Sequence, residues 1–156
     1  MCNREATWPP TETGTGTLVD RLITQCGALP ADHITVAGKK TLDVLLGLCG
    51  RGFVHATCCT SPHGPHDAHD RATSLWILNA ENAAEMRTLI ASHGHDLHAN
   101  GTLIVNLDFL NSPEKGGRLQ SILTQCGFMP MRQFHANGRV FLLCVRTSVA
   151  IEAAAA

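Results

Sequence analysis

Two stretches of this chain hold residue types that could do chemistry. The first is Ala37-Gly38-Lys39-Lys40-Thr41, at the start of a helical pattern. A phosphate or carboxylate can sit at such a place. Glycine lets the backbone approach closely, and a helix start offers unpaired N–H groups with the positive end of the dipole. Lysines at that end are unfavourable unless an anion joins them. The plainer reading is two solvated lysines, since surface charge misfits are cheap. A Walker A loop does not fit, because position 33 is His rather than Gly and two lysines precede Thr41.

The second stretch is histidine-rich. Six of the nine histidines fall into two clusters, 62–70 and 93–98. Imidazole and carboxylate at such short spacing can ligate zinc or a similar ion, which makes His63, His66, His69 and Asp70 a candidate metal set. The alternative is a solvated Pro/His/Asp connector. Histidines of the second cluster suit the negative end of a helix dipole. Ser61, Ser74 and Ser92 lack a G-x-S-x-G elbow. Cys58 and Cys59 stand near histidines, but an inert thiol is the simpler account without an electropositive site.

The elements that must position these residues follow from periodicity. Apolar spacing predicts helices over 17–26, 39–49, 81–92 and 113–127, and strands over 33–37, 53–59, 74–79, 101–107, 131–136 and 140–147. The 39–49 segment is apolar nearly all round, which predicts deep burial. Asn137-Gly138 between the last two strands is a hairpin signal. Strands alternating with helices imply a parallel sheet covered on both faces. The expected fold is α/β, a Rossmann-like, mostly parallel sheet covered by helices and ending in an antiparallel hairpin. One domain over 17–148 is expected, with a flexible leader over 1–16 and a tail over 149–156. Ile23-Thr24-Gln25-Cys26-Gly27 recurs as Leu123-Thr124-Gln125-Cys126-Gly127. Two helices ending alike on a glycine cap explain this without a duplication.

Composition narrows the partners. Charged residues make up 16% of the 156, the net charge is −1, and the basic residues are scattered. A nucleic-acid surface needs a clustered basic face, so DNA and RNA are not expected partners. No apolar run approaches the ~20 residues that span a bilayer, and the polar N-terminus lacks the apolar core of a signal peptide. Seven cysteines without a C-x-x-C pair point to a reducing cytoplasm.

Several motifs carry a resemblance. Leu97-His98-Ala99-Asn100-Gly101-Thr102-Leu103-Ile104-Val105 resembles a strand entered through an L-x-P-G-G-x-L-x-V turn. Gly127-Phe128 resembles a G-F entry into a hairpin, and residues 140–145 a last strand. Together they resemble the end of the class I S-adenosylmethionine-dependent methyltransferase fold. The resemblance implies S-adenosylmethionine held by Ala37, Gly38, Lys39, Lys40 and Thr41, its carboxylate near 38–41, with substrate beside Asn79 and Glu81. The front half departs from the family. Thr35-Val36-Ala37-Gly38-Lys39 stands where an acidic residue and a Gly-x-Gly loop are usual, and Cys58-Cys59-Thr60 where a ribose-binding acid is usual. About fourteen residues then precede Ser74, too few for a helix, a strand and a helix, since one crossover takes about 10–12.

Three readings follow. One is a methyltransferase acting on an unknown substrate. The second is a non-catalytic relative with a degenerate active site, a binding or assembly module that takes a small molecule or protein partner and can form a homo-oligomer. The third is a metal-binding protein using the loop around 63–70.

Overall fold

The computed structural model describes residues 15–59, 72–108 and 113–147. In chain order these form α1 (Thr15–Cys26), β1 (Ile34–Ala37), α2 (Leu42–Gly50), β2 (Thr57–Cys59), β3 (Ala72–Ile77) and α3 (Ala83–His93). A 3-10 turn (Gly94–Asp96) leads into β4 (Leu97–Asn106), α4 (Pro113–Gln125), β5 (Phe128–Ala136) and β6 (Arg139–Arg146). The strands make one six-stranded sheet in the order β2-β1-β3-β4-β6-β5. The first four are parallel, and β6 pairs antiparallel with both β4 and β5. This is the expected α/β sheet with its closing hairpin. Asn137 (φ 53°) and Gly138 (φ 75°) make the tight turn, both in the left-handed region that a type I′ turn requires.

The parallel strands are apolar on both faces because helices cover both. Leu75, Ile77, Leu103 and Val105 face α3 and α4, meeting Met86, Leu89, Ile90, Leu119 and Leu123. Residues one step along point the other way. Trp76 and Ile104 join Ile34, Val36 and Phe141 against Leu18, Val19, Leu22, Val44 and Leu48 of α1 and α2. Polar atoms among these buried side chains are paired: the Trp76 indole N–H donates to Ser74 Oγ at 2.8 Å, and Thr102 Oγ1 donates to the same oxygen at 2.8 Å.

Several element boundaries differ from the sequence-based expectation. The helix expected from residue 39 begins at Leu42, because Gly38 (φ 113°) and Lys40 (φ 55°) hold the preceding turn in conformations a helix cannot use. Nor is that helix buried all round. It lies against α1 through Val44 and Leu48, and a Cβ on Gly47 would come within 3.0 Å of Val19 Cγ2, so the glycine permits the close approach. Leu42 and Leu46 face away, 60% and 58% exposed. The expected strand over 53–59 contracts to three residues, with Phe53 buried in the turn before it. In contrast, β4 and β5 begin earlier than expected, at Leu97 and Phe128.

The repeated pentapeptides do end two helices alike. Gly27 (φ 66°) and Gly127 (φ 86°) both receive the left-handed cap. Thr24 and Thr124 each donate a side-chain bond four residues back, at 2.9 Å. No described helix is long and apolar enough to cross a membrane.

Burial sorts the cysteines by reactivity. It pushes the Cys144 thiol up to about 12, and raises Cys26 and Cys126 as well, whereas Cys49 is exposed on α2. Thiolate is the nucleophile. Native protein treated with iodoacetamide at pH 8 is therefore expected to alkylate at Cys49 early and at Cys144 only after unfolding. Mass spectrometry of timed digests reads the order, and early labelling of Cys144 would contradict the packing.

Candidate functional site

A central strand whose neighbours lie on opposite sides creates a crevice at its carboxyl end, where open α/β sheets take ligands. Here that strand is β1, with β2 on one side and β3 on the other. The chain leaves β1 in one direction and returns across it to reach β3. A cleft of about 270 Å³ opens beside this switch point, at the carboxyl ends of β1, β3 and β4. The loop after β1 supplies Lys39 and Lys40. The end of β3 supplies residues 78–81, and the end of β4 Asn106 and Asp108. Arg139 completes the lining. Because β6 runs antiparallel to β4, its first residue rather than its last lies on this edge.

The β1 loop is tied down on both sides. Gly38 N–H donates to the Cys59 carbonyl at 2.9 Å, which extends the β1–β2 ladder by one residue. From β3, Asn79 Nδ2 donates to the carbonyls of Lys39 (2.7 Å) and Lys40 (3.3 Å). Thr41 is the N-cap of α2 and makes no side-chain capping bond. Its hydroxyl is buried and has no hydrogen-bond partner among the described residues. Ala37 and Gly38 are also buried.

The two lysines precede the α2 cap instead of occupying its first turn, and they still lie at the positive end of its dipole. Lys39 lies near two acids, with Nζ 3.7 Å from Glu81 and 4.0 Å from Glu85. Glu81 sits just before the α3 cap. Its N–H donates to Glu85 Oε1 at 2.7 Å, while Glu85 N–H donates to the side chain of Asn82 at 2.8 Å. This reciprocal arrangement works like a capping box and fixes where α3 begins.

Sequence reading did not single out the other half of the site. Asn106 is 4% exposed and uses both ends of its amide: Nδ2 donates to the Leu78 carbonyl at 2.8 Å, and Oδ1 accepts from Asp108 N–H at 2.7 Å. Arg139 donates from Nη2 to the Leu78 carbonyl (2.7 Å) and to Asn79 Oδ1 (3.2 Å), and from Nε to Asp108 (3.2 Å). Its guanidinium also lies over the Phe141 ring, 5.5 Å from the centroid. Asp108 Oδ1 accepts from Val140 N–H at 3.1 Å. The sequence signals for this cluster were faint: polar residues at a strand end, and an arginine just after an Asn-Gly turn.

The proposed cofactor and substrate residues therefore converge. Residues 37–41 and Asn79 meet directly, and Glu81 lies beside Lys39. Asn79 holds the loop and accepts from Arg139, so its amide serves the frame of the cleft.

The candidate metal residues His63, His66, His69 and Asp70 lie outside the described residues. Among the described residues, no group of three or more His, Cys, Asp or Glu could hold a metal ion. The second histidine cluster is dispersed, with His93 buried and His95 and His98 exposed.

No protein-family model matches this chain, and no curated protein matches it in sequence. Solved structures do match its fold. Ribosomal protein L11 methylase from Lactobacillus delbrueckii subsp. bulgaricus is 12% identical, with a TM-score of 0.61 over 83% of this chain and 77% of that one. A SAM dependent methyltransferase from Aquifex aeolicus is 8% identical, with a TM-score of 0.61 over 85% and 92%. Precorrin-6y C5,15-methyltransferase from Geobacter metallireducens GS-15 is 11% identical, with a TM-score of 0.55 over 83% and 87%. At these identities the likeness is one of fold. The chain has a class I SAM-dependent methyltransferase-like fold, and its sequence has diverged far from these neighbours.

Proposed function

We propose that this protein binds S-adenosylmethionine at the switch-point cleft and transfers its methyl group to a small acceptor. The observation that carries the reading is the placement of the cleft. It lies at the carboxyl ends of β1, β3 and β4, beside a glycine loop that two flanking strands hold in one shape.

The residues present fit one end of the cofactor well. Gly38, buried at the base of the loop, takes a φ of 113° that lets the chain turn there without a side chain. The Thr41 hydroxyl, buried and with no hydrogen-bond partner among the described residues, is a donor suited to a carboxylate. The loop over residues 37–41 would hold the methionine end through its backbone and Thr41, with the Lys40 ammonium, Asn79 and Glu81 toward the acceptor. When bound, S-adenosylmethionine supplies an electrophilic methyl group on a positively charged sulfur. The chain's own contribution is to hold the loop, exclude water from the floor of the cleft and align the acceptor. Such alignment alone can account for several kcal/mol of a barrier.

A second reading, a non-catalytic module with a degenerate site, is favoured by a specific observation. Cys59 stands at the end of β2, where a ribose hydroxyl needs an acceptor. Desolvation raises its thiol, with Cys58 and Asp96 adding to the shift, so it stays neutral and accepts hydrogen bonds poorly. Calorimetric titration with S-adenosylhomocysteine separates the two. Saturable one-to-one binding is expected under the first reading, and absence of heat at high ligand concentration removes it.

A further inference from the structure

We infer that the cleft receives an anionic group, a carboxylate or a phosphate, between the free Nη1 side of Arg139 and the ammonium of Lys40. Under the methyl-transfer reading, on which this rests, that group belongs to the acceptor.

The argument is one of unspent donors. Three cations and two carboxylates line the cleft, in a chain whose net charge is −1. Lys39 stands beside Glu81, and Asp108 takes Arg139 Nε on one oxygen and Val140 N–H on the other. What remains among the described residues is Lys40, which has no ion pair there, and the two Nη1 N–H groups of Arg139. The bonds from Nε and Nη2 fix the guanidinium plane, so Nη1 is presented without further ordering. A charged donor nitrogen fixed in this way makes charge-assisted hydrogen bonds to an oxyanion.

Asn79 ties the backbone that carries one cation to the other cation: it donates to the Lys40 carbonyl at 3.3 Å and accepts from Arg139 at 3.2 Å. Lys40, Asn79 and Arg139 all line the same cleft. Arg139 belongs to β6, separated from β1 by β3 and β4. That is the far wall of the cleft from the glycine loop, and so the acceptor's side.

The test uses full-length 15N-labelled protein at constant ionic strength. It is titrated with sodium phosphate and separately with sodium acetate, each with and without saturating S-adenosylhomocysteine. Shifts are expected at the Asn79 side-chain amide and the Arg139 Nε–H. Stronger binding of phosphate assigns a phosphorylated group, and stronger binding of acetate a carboxylate. Lys40→Asn removes a charge at a left-handed position that asparagine tolerates, and should weaken binding about fivefold, as for one exposed charge pair. Arg139→Gln should weaken it about tenfold or more, as for lost charge-assisted bonds. The inference fails if neither anion moves these signals, or if Lys40→Asn binds like the native protein. It also fails if S-adenosylhomocysteine blocks the anion, which would make the site the cofactor's own carboxylate pocket. Anion binding without S-adenosylhomocysteine binding would instead sink the methyl-transfer reading and leave the anion site standing.

Discussion

Gly38→Val is expected to fold, to melt several degrees lower, and to lose measurable affinity for S-adenosylhomocysteine. The backbone at Gly38 has φ 113°, a conformation that a β-branched residue reaches only under strain. Such strain costs of order 1–3 kcal/mol, or about 4–8 °C in a domain of this size for the middle of that range. Space is a lesser problem, because a Cβ there would meet only Leu89 Cδ1, at 3.8 Å. The strain is relieved by moving the loop, and movement breaks the bonds from Asn79 to the carbonyls of Lys39 and Lys40. Binding should therefore fall further than stability does. Scanning calorimetry and ligand titration on the same preparation check this. A variant that binds as tightly as the native protein would show that the loop is not the seat of the cofactor.

Asn106→Leu is expected to destabilise the fold around the site. The substitution keeps size but removes two bonds at once. Asp108 N–H loses its acceptor, and the Leu78 carbonyl keeps only Arg139. Leaving one such polar group unmet costs about 1–3 kcal/mol, so a loss of about 2 kcal/mol is expected, some 4–8 °C. The ends of β3 and β4 would no longer be clamped, and Arg139 would lose part of its support. Thermal melts of Asn106→Leu and Asn106→Asp should differ. Asp retains the acceptor for Asp108 N–H, so it should recover part of the loss at low pH, where it can also donate. Equal melting temperatures would mean that the clamp contributes little.

Local signals were legible and long-range ones were not. Asn137-Gly138 announced the hairpin because a type I′ turn is decided by two adjacent residues. The α/β alternation likewise revealed the covered sheet. The β1 loop was misread as helix because nothing in Lys39-Lys40-Thr41 shows that Lys40 takes a positive φ. That conformation is imposed from β3, by Asn79 across 39 and 40 residues of chain. The same reason hid Arg139, whose partners lie 31 to 61 residues away. For α2, hydrophobicity alone predicted burial, but a helix packed against one neighbour covers one face, and Leu42 and Leu46 are on the other. Resemblance placed residues 37–41 and Asn79 in different roles, and the hydrogen bonds that join them were not legible in the sequence.

The reversal of β6 has a consequence for how this cleft can change over evolutionary time. Arg139 follows directly on the Asn137-Gly138 turn. Sliding β6 by one step would flip its side chains to the opposite face, taking Arg139 out of the cleft and the buried Phe141 and Leu143 off the face that α1 and α2 cover. The core therefore pins the arginine, and a residue gained or lost in the turn must be absorbed by the turn itself. Both walls of the cleft are tied to the register of the sheet, so its chemistry can drift by substitution but not by changes in turn length.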